Sequence, residues 1–159
     1  GTGALTCIEI WGYTDTAARE YAIDRGVAFQ LTNIMRDFRE DYDAGRVYLP
    51  AEDFAEFDLT PAELRAWVRP DVCRSFVLAQ TQRAASLYAR SAPLEELITG
   101  TCRPTLWAMT RIYRNILRKV EQNPEQIVGP NRVRLNGLHK GVIAICARWQ
   151  QRQAREAMS

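Results

Sequence analysis

No proline interrupts the chain before Pro50, and from Asp15 to Tyr42 apolar residues recur every three or four positions rather than every second one. That period belongs to a helix, and a stretch of such length without a breaker commits this part of the chain to one long α-helix. Later breakers divide the remainder. Gly45 and Pro50 bound a loop, and Ala51 to Phe57 fits a short helical piece. Thr60-Pro61-Ala62-Glu63 then offers a capping hydroxyl, a proline at the first helical position and a glutamate placed to complete a capping box. Pro70 and Asp71 open a long segment through Arg90, Pro93 interrupts it, and Pro104 sits in the first turn of a helix that Asn123-Pro124 stops. Gly129-Pro130-Asn131 marks a turn, and a last helix is expected from Leu138 to Glu156. The expected class is all-α, with at least four packed helices and no sheet of consequence. No internal repeat, low-complexity segment or linker divides the 159 residues, so they are expected to belong to a single domain.

Charge names no partner. The net charge is +2, and the basic residues are interspersed with acidic ones, which argues against nucleic acid. Cys7, Cys73, Cys102 and Cys146 lie far apart and His139 is the only histidine, so the chain lacks zinc-site spacing and the pieces of a Ser-His-Asp or Cys-His mechanism. The cysteines read as small buried hydrophobes. No apolar run approaches the roughly 18 residues that span a bilayer. A cytoplasmic, reducing location is expected. Membrane association stays open, because Val142, Ile143, Ile145 and Trp149 among basic residues suit either peripheral contact with a membrane surface or packing on a core. The chain opens on Gly1-Thr2-Gly3 without an initiator methionine, and we expect it to be part of a longer polypeptide.

The stretch from Gly26 to Asp41 carries the chemistry. On a helix advancing about 100° per residue, Gln30, Asn33, Asp37 and Asp41 fall within an arc of roughly 80°. Val27, Leu31, Ile34, Met35 and Phe38 occupy the neighbouring arc, so the polar stripe borders the expected buried face. Two carboxylates one turn apart beside apolar groups need compensating cations. Magnesium suits them, since it takes oxygen ligands and commonly uses one or two carboxylates, with waters and substrate phosphates completing its shell. A solvated helix end whose aspartates pair with Arg36 and Arg39 is the plainer alternative. The amides on the same stripe favour the metal, as does Arg36 next to Asp37, a guanidinium suited to diphosphate oxygens.

The string AFQLTNIMRDFREDYDAGRVYLP, Ala28 to Pro50, resembles the second aspartate-rich motif of the squalene/phytoene synthase family and the loop after it. The segment Gly1 to Tyr13 resembles that family's glycine-containing helix, and RIYRNIL around Tyr113 its late tyrosine helix. The resemblance implies a terpene-synthase-like helical bundle. It implies Asp37 and Asp41 as magnesium ligands bridging to the substrate diphosphate, with Asn33 also serving the metal. Gln30 and Arg36 match positions that contact the prenyl diphosphate, and Tyr113 matches a tyrosine near the departing diphosphate. Arg46 and Tyr48 in the GRVYLP loop, and Arg132 in the late RVR stretch, are further candidates for diphosphate contact. A solvated-loop reading fits those three equally.

The implied reaction is a magnesium-dependent head-to-head joining of two prenyl diphosphates, farnesyl or geranylgeranyl, through a cyclopropyl intermediate. A squalene-type product would need NADPH, whereas a phytoene-type product would not. The family carries two aspartate-rich motifs, and Asp37-x-x-x-Asp41 is the only D-x-x-x-D here. The expectation is therefore a C-terminal part of one such domain, lacking its N-terminal helices and inactive alone, whose partners are prenyl diphosphates and the N-terminal remainder of its domain. A head-to-tail chain-elongating prenyltransferase fits less well for want of a D-D-x-x-D pattern. A non-catalytic helical binding module is the alternative outside enzymes.

Overall fold

The computed structural model describes residues 16–98 and 103–133, and within them the chain is helical with no β-strand. Helix α1 spans Thr16–Asp43, α2 Ala51–Glu56, α3 Pro61–Ala66, α4 Pro70–Arg90, α5 Leu94–Leu97 and α6 Arg103–Gln122, and a 3₁₀ turn covers Pro124–Ile127. Every helix expected within this span forms within a residue or so of its expected limits, and the one opened by the capping box starts where expected and lasts one and a half turns. The Gly1 to Tyr13 segment, the helix expected from Leu138, Cys7, Cys102, His139 and Cys146 lie outside the described residues.

Local chemistry sets the boundaries. The Thr60 hydroxyl accepts from the Glu63 N–H at 3.2 Å while the Glu63 carboxylate accepts from the Thr60 N–H at 2.8 Å, completing the capping box at the start of α3. That helix stops where Trp67 takes a left-handed conformation at φ 53°. Helix α1 ends in a Schellman motif. Gly45, at φ +77°, donates to the Tyr42 carbonyl at 2.8 Å, and the Arg46 N–H reaches back to the Asp41 carbonyl at 2.8 Å. Nothing would crowd a Cβ at Gly45, so the backbone conformation is what asks for glycine there.

Helix α1 lies in a groove formed by α4 and α6. Its contacts with α4 run in opposite senses, Asp24 with Arg90 and Thr32 with Tyr88, so those helices are antiparallel. Its contacts with α6 and the loop beyond ascend together, Arg25 with Thr110, Asn33 with Tyr113 and Arg39 with Gly129, so α1 and α6 run the same way. Ala28, Leu31, Met35 and Phe38 of α1 pack with Phe76, Val77 and Tyr88 of α4 and Ile116, Leu117 and Val120 of α6. Phe54 of α2 stacks on Phe76 at 4.7 Å between ring centres, and Phe57 meets the same ring edge-on. Cys73 is fully buried in this core, as a small hydrophobe. A second cluster joins Ala18 and Ala22 to Leu94, Ile98 and Leu106.

Where the two clusters meet sits Arg25, only 2% exposed. Its Nε donates to the Ser91 hydroxyl and its Nη2 to the Ser91 carbonyl, each at 2.9 Å. Its Nη1 reaches the Glu95 carboxylate at 3.2 Å and also donates to the Thr110 hydroxyl. Ser91 and Thr110 in turn donate to the carbonyls of Leu87 and Leu106, so each hydroxyl is satisfied in both senses. The guanidinium also lies 5.9 Å from the Tyr88 ring centre. Burial weakens its hold on its proton, and Glu95 offsets part of that cost. Replacing Arg25 by alanine would strand Glu95, Ser91 and Thr110 around a void. We expect a loss of about 3 kcal/mol or more in urea unfolding; a loss below about 1 kcal/mol would show that the helices hold their places without it.

Candidate active site

The Schellman motif that ends α1 does more than stop the helix. By turning the chain back through Gly45 it sets Arg46 beside Asp41, whose carboxylate accepts from Arg46 Nη2 at 3.0 Å. Tyr48 lies alongside, and together Asp41 and Tyr48 raise the proton affinity of Arg46. Both loop residues are exposed, Tyr48 at 55%.

One turn back along α1 lies Asp37, its side chain 18% exposed against 21% for Asp41. Arg36 grips it with both arms of its fork, Nε to Oδ1 at 2.7 Å and Nη2 to Oδ2 at 2.8 Å. Arg132 arrives from the loop after the 3₁₀ turn, its Nε 2.6 Å and its Nη2 2.5 Å from the same Oδ1. Burial by itself would raise the Asp37 carboxyl, but the bonds from Arg36 and Arg132 outweigh it and hold the group below its ordinary value. Arg36 is correspondingly raised, chiefly by its bond to Asp37. Arg132 also approaches Glu40 at 3.7 Å.

A further turn back, Asn33 Nδ2 donates to the Tyr113 hydroxyl at 3.3 Å, bringing α6 to the stripe. The Tyr113 ring packs against Phe29 at 4.7 Å. Asn33 Oδ1 is buried and has no hydrogen-bond partner among the described residues. Gln30 is exposed and makes no hydrogen bond among them.

The structure therefore gathers Asn33, Arg36, Asp37, Arg132 and Tyr113 into one connected group, with Asp41, Arg46 and Tyr48 a turn further on and Gln30 apart on the outer flank. A cavity of about 500 Å³ lies beneath the 129–133 loop, with Lys119, Gln122, Asn123 and Gln126 in its lining. Of the candidate site residues named from sequence only Arg132 borders it, so the stripe does not form the wall of this cavity. Among the described residues no three His, Cys, Asp or Glu side chains cluster closely enough to hold a metal by themselves. A hard cation fits all the same. Asn33 Oδ1 is an unused oxygen on the face that bears Asp37 and Asp41, and magnesium draws much of its shell from phosphates and water.

Two roles were not foreseen from sequence. Arg39, expected only to pair with an aspartate, donates to the Gly129 carbonyl at 2.8 Å and anchors the loop that delivers Arg132, and Glu40, not singled out, is the second acid near Arg132. Their partners lie about ninety residues away, and no local spacing signals such a meeting.

Fold and stripe together define an all-α protein built around an aspartate-bearing helix that faces a tyrosine. The chain belongs to the squalene/phytoene synthase family, whose profile matches residues 1–139. It is 37% identical over 102 residues to the 15-cis-phytoene synthase of Synechococcus elongatus, covering 64% of this chain and 33% of that protein. With the phytoene synthase of Mycobacterium tuberculosis it shares 35% identity over 153 residues, covering 92% and 49%. Its fold is similar to that of a crystallised dehydrosqualene synthase in complex with ligand, with TM-score 0.64 and 26% identity over 84% of this chain and 47% of that one. The chain thus spans a third to a half of the length of these curated relatives.

Two neighbouring carboxylates repel one another, and on that ground alone removing one charge would relieve the metal-free protein. The structure gives each carboxylate its own arginine, which reverses the sign. In EDTA, Asp37→Asn is expected to lower stability by about 1 kcal/mol, a value suited to part-exposed ion pairs. Urea denaturation decides it, and an increase in stability would mean that repulsion outweighs the two guanidiniums.

Proposed function

We propose that the polypeptide carrying this chain joins two prenyl diphosphates head to head in a magnesium-dependent reaction, with a phytoene-type product. The observation that supports this most is the α1 stripe itself, with Asn33, Asp37 and Asp41 on one face, Tyr113 opposite and arginines at each carboxylate. Family membership and two relatives named as phytoene synthases favour geranylgeranyl diphosphate and a phytoene-type product, a product that needs no nicotinamide reductant.

Asp37, Asp41 and Asn33 Oδ1 would hold the magnesium, whose contribution is positive charge against the departing diphosphate. Arg36, Arg46 and Arg132 supply fork-shaped donors for the remaining diphosphate oxygens. Tyr113 accepts from Asn33, which leaves its own hydroxyl proton to donate to the leaving group. Ionisation then gives an allylic cation, the double bond of the second chain attacks it, and loss of a proton from that chain to the released diphosphate closes the cyclopropyl intermediate, with no covalent enzyme nucleophile.

The apolar part of the substrate has a counterpart on the same helix. Ile23, Val27 and Ile34 share the face of Gln30 and Asp41, and Ile23 and Val27 are 41% and 42% exposed. Sequence periodicity assigns Val27 to the buried arc, whereas the structure turns it outward, extending the polar stripe into an apolar lane suited to an isoprenoid tail.

The test is turnover of geranylgeranyl diphosphate by the complete polypeptide and its Asp37→Asn form at matched, saturating magnesium. Loss of one anionic ligand should cost roughly a hundredfold in rate with the helical spectrum retained. Unchanged turnover would remove Asp37 from the chemistry, and a head-to-tail product would overturn the reaction class.

A further inference from the structure

Asp37 is hydrogen-bonded by two arginines at once, whereas Asp43, the other aspartate of α1 with two arginines beside it, is 46% exposed and keeps its second one at 3.6 Å. The Asp37 Oδ1 accepts from Arg36 Nε at 2.7 Å and from Arg132 Nε at 2.6 Å, with Arg132 Nη2 at 2.5 Å, while Oδ2 accepts from Arg36 Nη2 at 2.8 Å. A carboxylate offers about four acceptor directions, and these donors leave little of that capacity. Asp41, by contrast, meets one exposed guanidinium. Arg36 is fixed beside Asp37 by the helix, but Arg132 is not. It sits on a loop tied to α1 independently through Arg39 and the Gly129 carbonyl, and that loop overhangs a cavity of about 500 Å³. Arg132 can therefore leave Asp37 while its loop stays anchored.

From this geometry we infer that Arg132 is a latch on Asp37 that makes the binding of a divalent cation and of a diphosphate depend on one another. The inference rests on the proposed role of Asp37 as a cation ligand. A bare cation approaching Asp37 meets two guanidiniums and must displace at least one from the carboxylate. Among the described residues Arg132 would then keep only Glu40, at 3.7 Å, as an anion nearby. A diphosphate changes that balance because its oxygens accept a guanidinium fork as well as a carboxylate does. Arg132 passes from Asp37 to the diphosphate, and Asp37 is freed for the cation. Each ligand favours the same unlatched arrangement, so each tightens the binding of the other by the same factor.

The experiment is equilibrium dialysis of Mn²⁺ against the complete polypeptide, with and without inorganic pyrophosphate. The wild-type protein, Arg132→Gln, Arg132→Lys, Asp37→Asn and Arg65→Gln are compared. Wild-type protein should bind Mn²⁺ weakly alone and about tenfold or more tightly with pyrophosphate, within the usual range of coupling between sites. Arg132→Gln should bind Mn²⁺ alone more tightly than wild type and gain less from pyrophosphate. Arg132→Lys keeps the charge without the fork, and its Mn²⁺ affinity should fall between the two. Arg65→Gln removes an equal charge from a residue paired with Asp43 and should match wild type. Unchanged or weaker Mn²⁺ binding by both Arg132 variants would overturn the latch while leaving Asp37 a ligand. Equal tightening by Arg65→Gln would overturn it too, by reducing the effect to net charge. Wild-type Mn²⁺ affinity in Asp37→Asn would remove Asp37 from the cation site, and the latch would fall with that reading.

Discussion

A buried guanidinium holds this helical assembly in register. Arg25 lies where α1, the end of α4, α5 and α6 converge, and the bonds it makes to Ser91, Glu95 and Thr110 tie all four together. An apolar side chain of similar size would fill the volume without choosing among nearby helix positions, because dispersion contacts are not directional. The guanidinium does choose, since its planar donors must each find an acceptor once water is gone. Thr110 lies one turn before Tyr113, so the bond that places Thr110 against α1 also places Tyr113 against Asn33. The position of the candidate site thus depends on a polar contact outside it.

Prolines and caps made the helices readable. Six of the seven prolines fall at or beside helix starts and the seventh, Pro130, in the loop after the 3₁₀ turn, and the Thr60 to Glu63 box does what its spacing implies. Nothing local distinguishes Arg25, which sits between Asp24 and Gly26 and reads as an ordinary surface charge. Val27 errs in the other direction. Periodicity marks it as apolar and near the core arc, but a helix pressed into a groove by α4 and α6 buries only the faces those two helices reach. Of the site, the α1 stripe was readable because a helix brings its members together without help from the rest of the fold. Its pairing with Tyr113 came through family resemblance rather than spacing, and the bond of Arg132 to Asp37 joins residues 95 apart. Contacts of that kind are set by how helices pack, which local pattern does not encode.

The electrostatics follow a similar division. From sequence, two aspartates a turn apart beside apolar groups need cations, either a metal or the neighbouring Arg36 and Arg39, and the Arg36–Asp37 pair does form. In the structure, Asp41, Asp37 and Asp43 are answered by Arg46, by Arg36 with Arg132, and by Arg39 with Arg65. All five are arginines, a residue whose fork matches a carboxylate and, equally, a phosphate. The set that neutralises the helix end without a ligand is therefore chemically fitted to receive one.

The two carboxylates of the motif are nevertheless unequal, and the inequality comes from backbone geometry. Arg46 reaches Asp41 only because Gly45 takes a left-handed turn immediately after the helix, and its side chain remains 54% exposed. That contact spends its electrostatic strength in water and constrains little. Asp37 lies a full turn inside the helix, where the following loop cannot reach, so its second guanidinium comes from 95 residues further along the chain, across the flank of α1. Arg132 is less exposed than Arg46, and its bond is correspondingly less screened. The same D-x-x-x-D spacing thus places one carboxylate where a local turn neutralises it loosely and the other where tertiary packing does so firmly. Symmetry in the motif does not carry over into symmetry of binding.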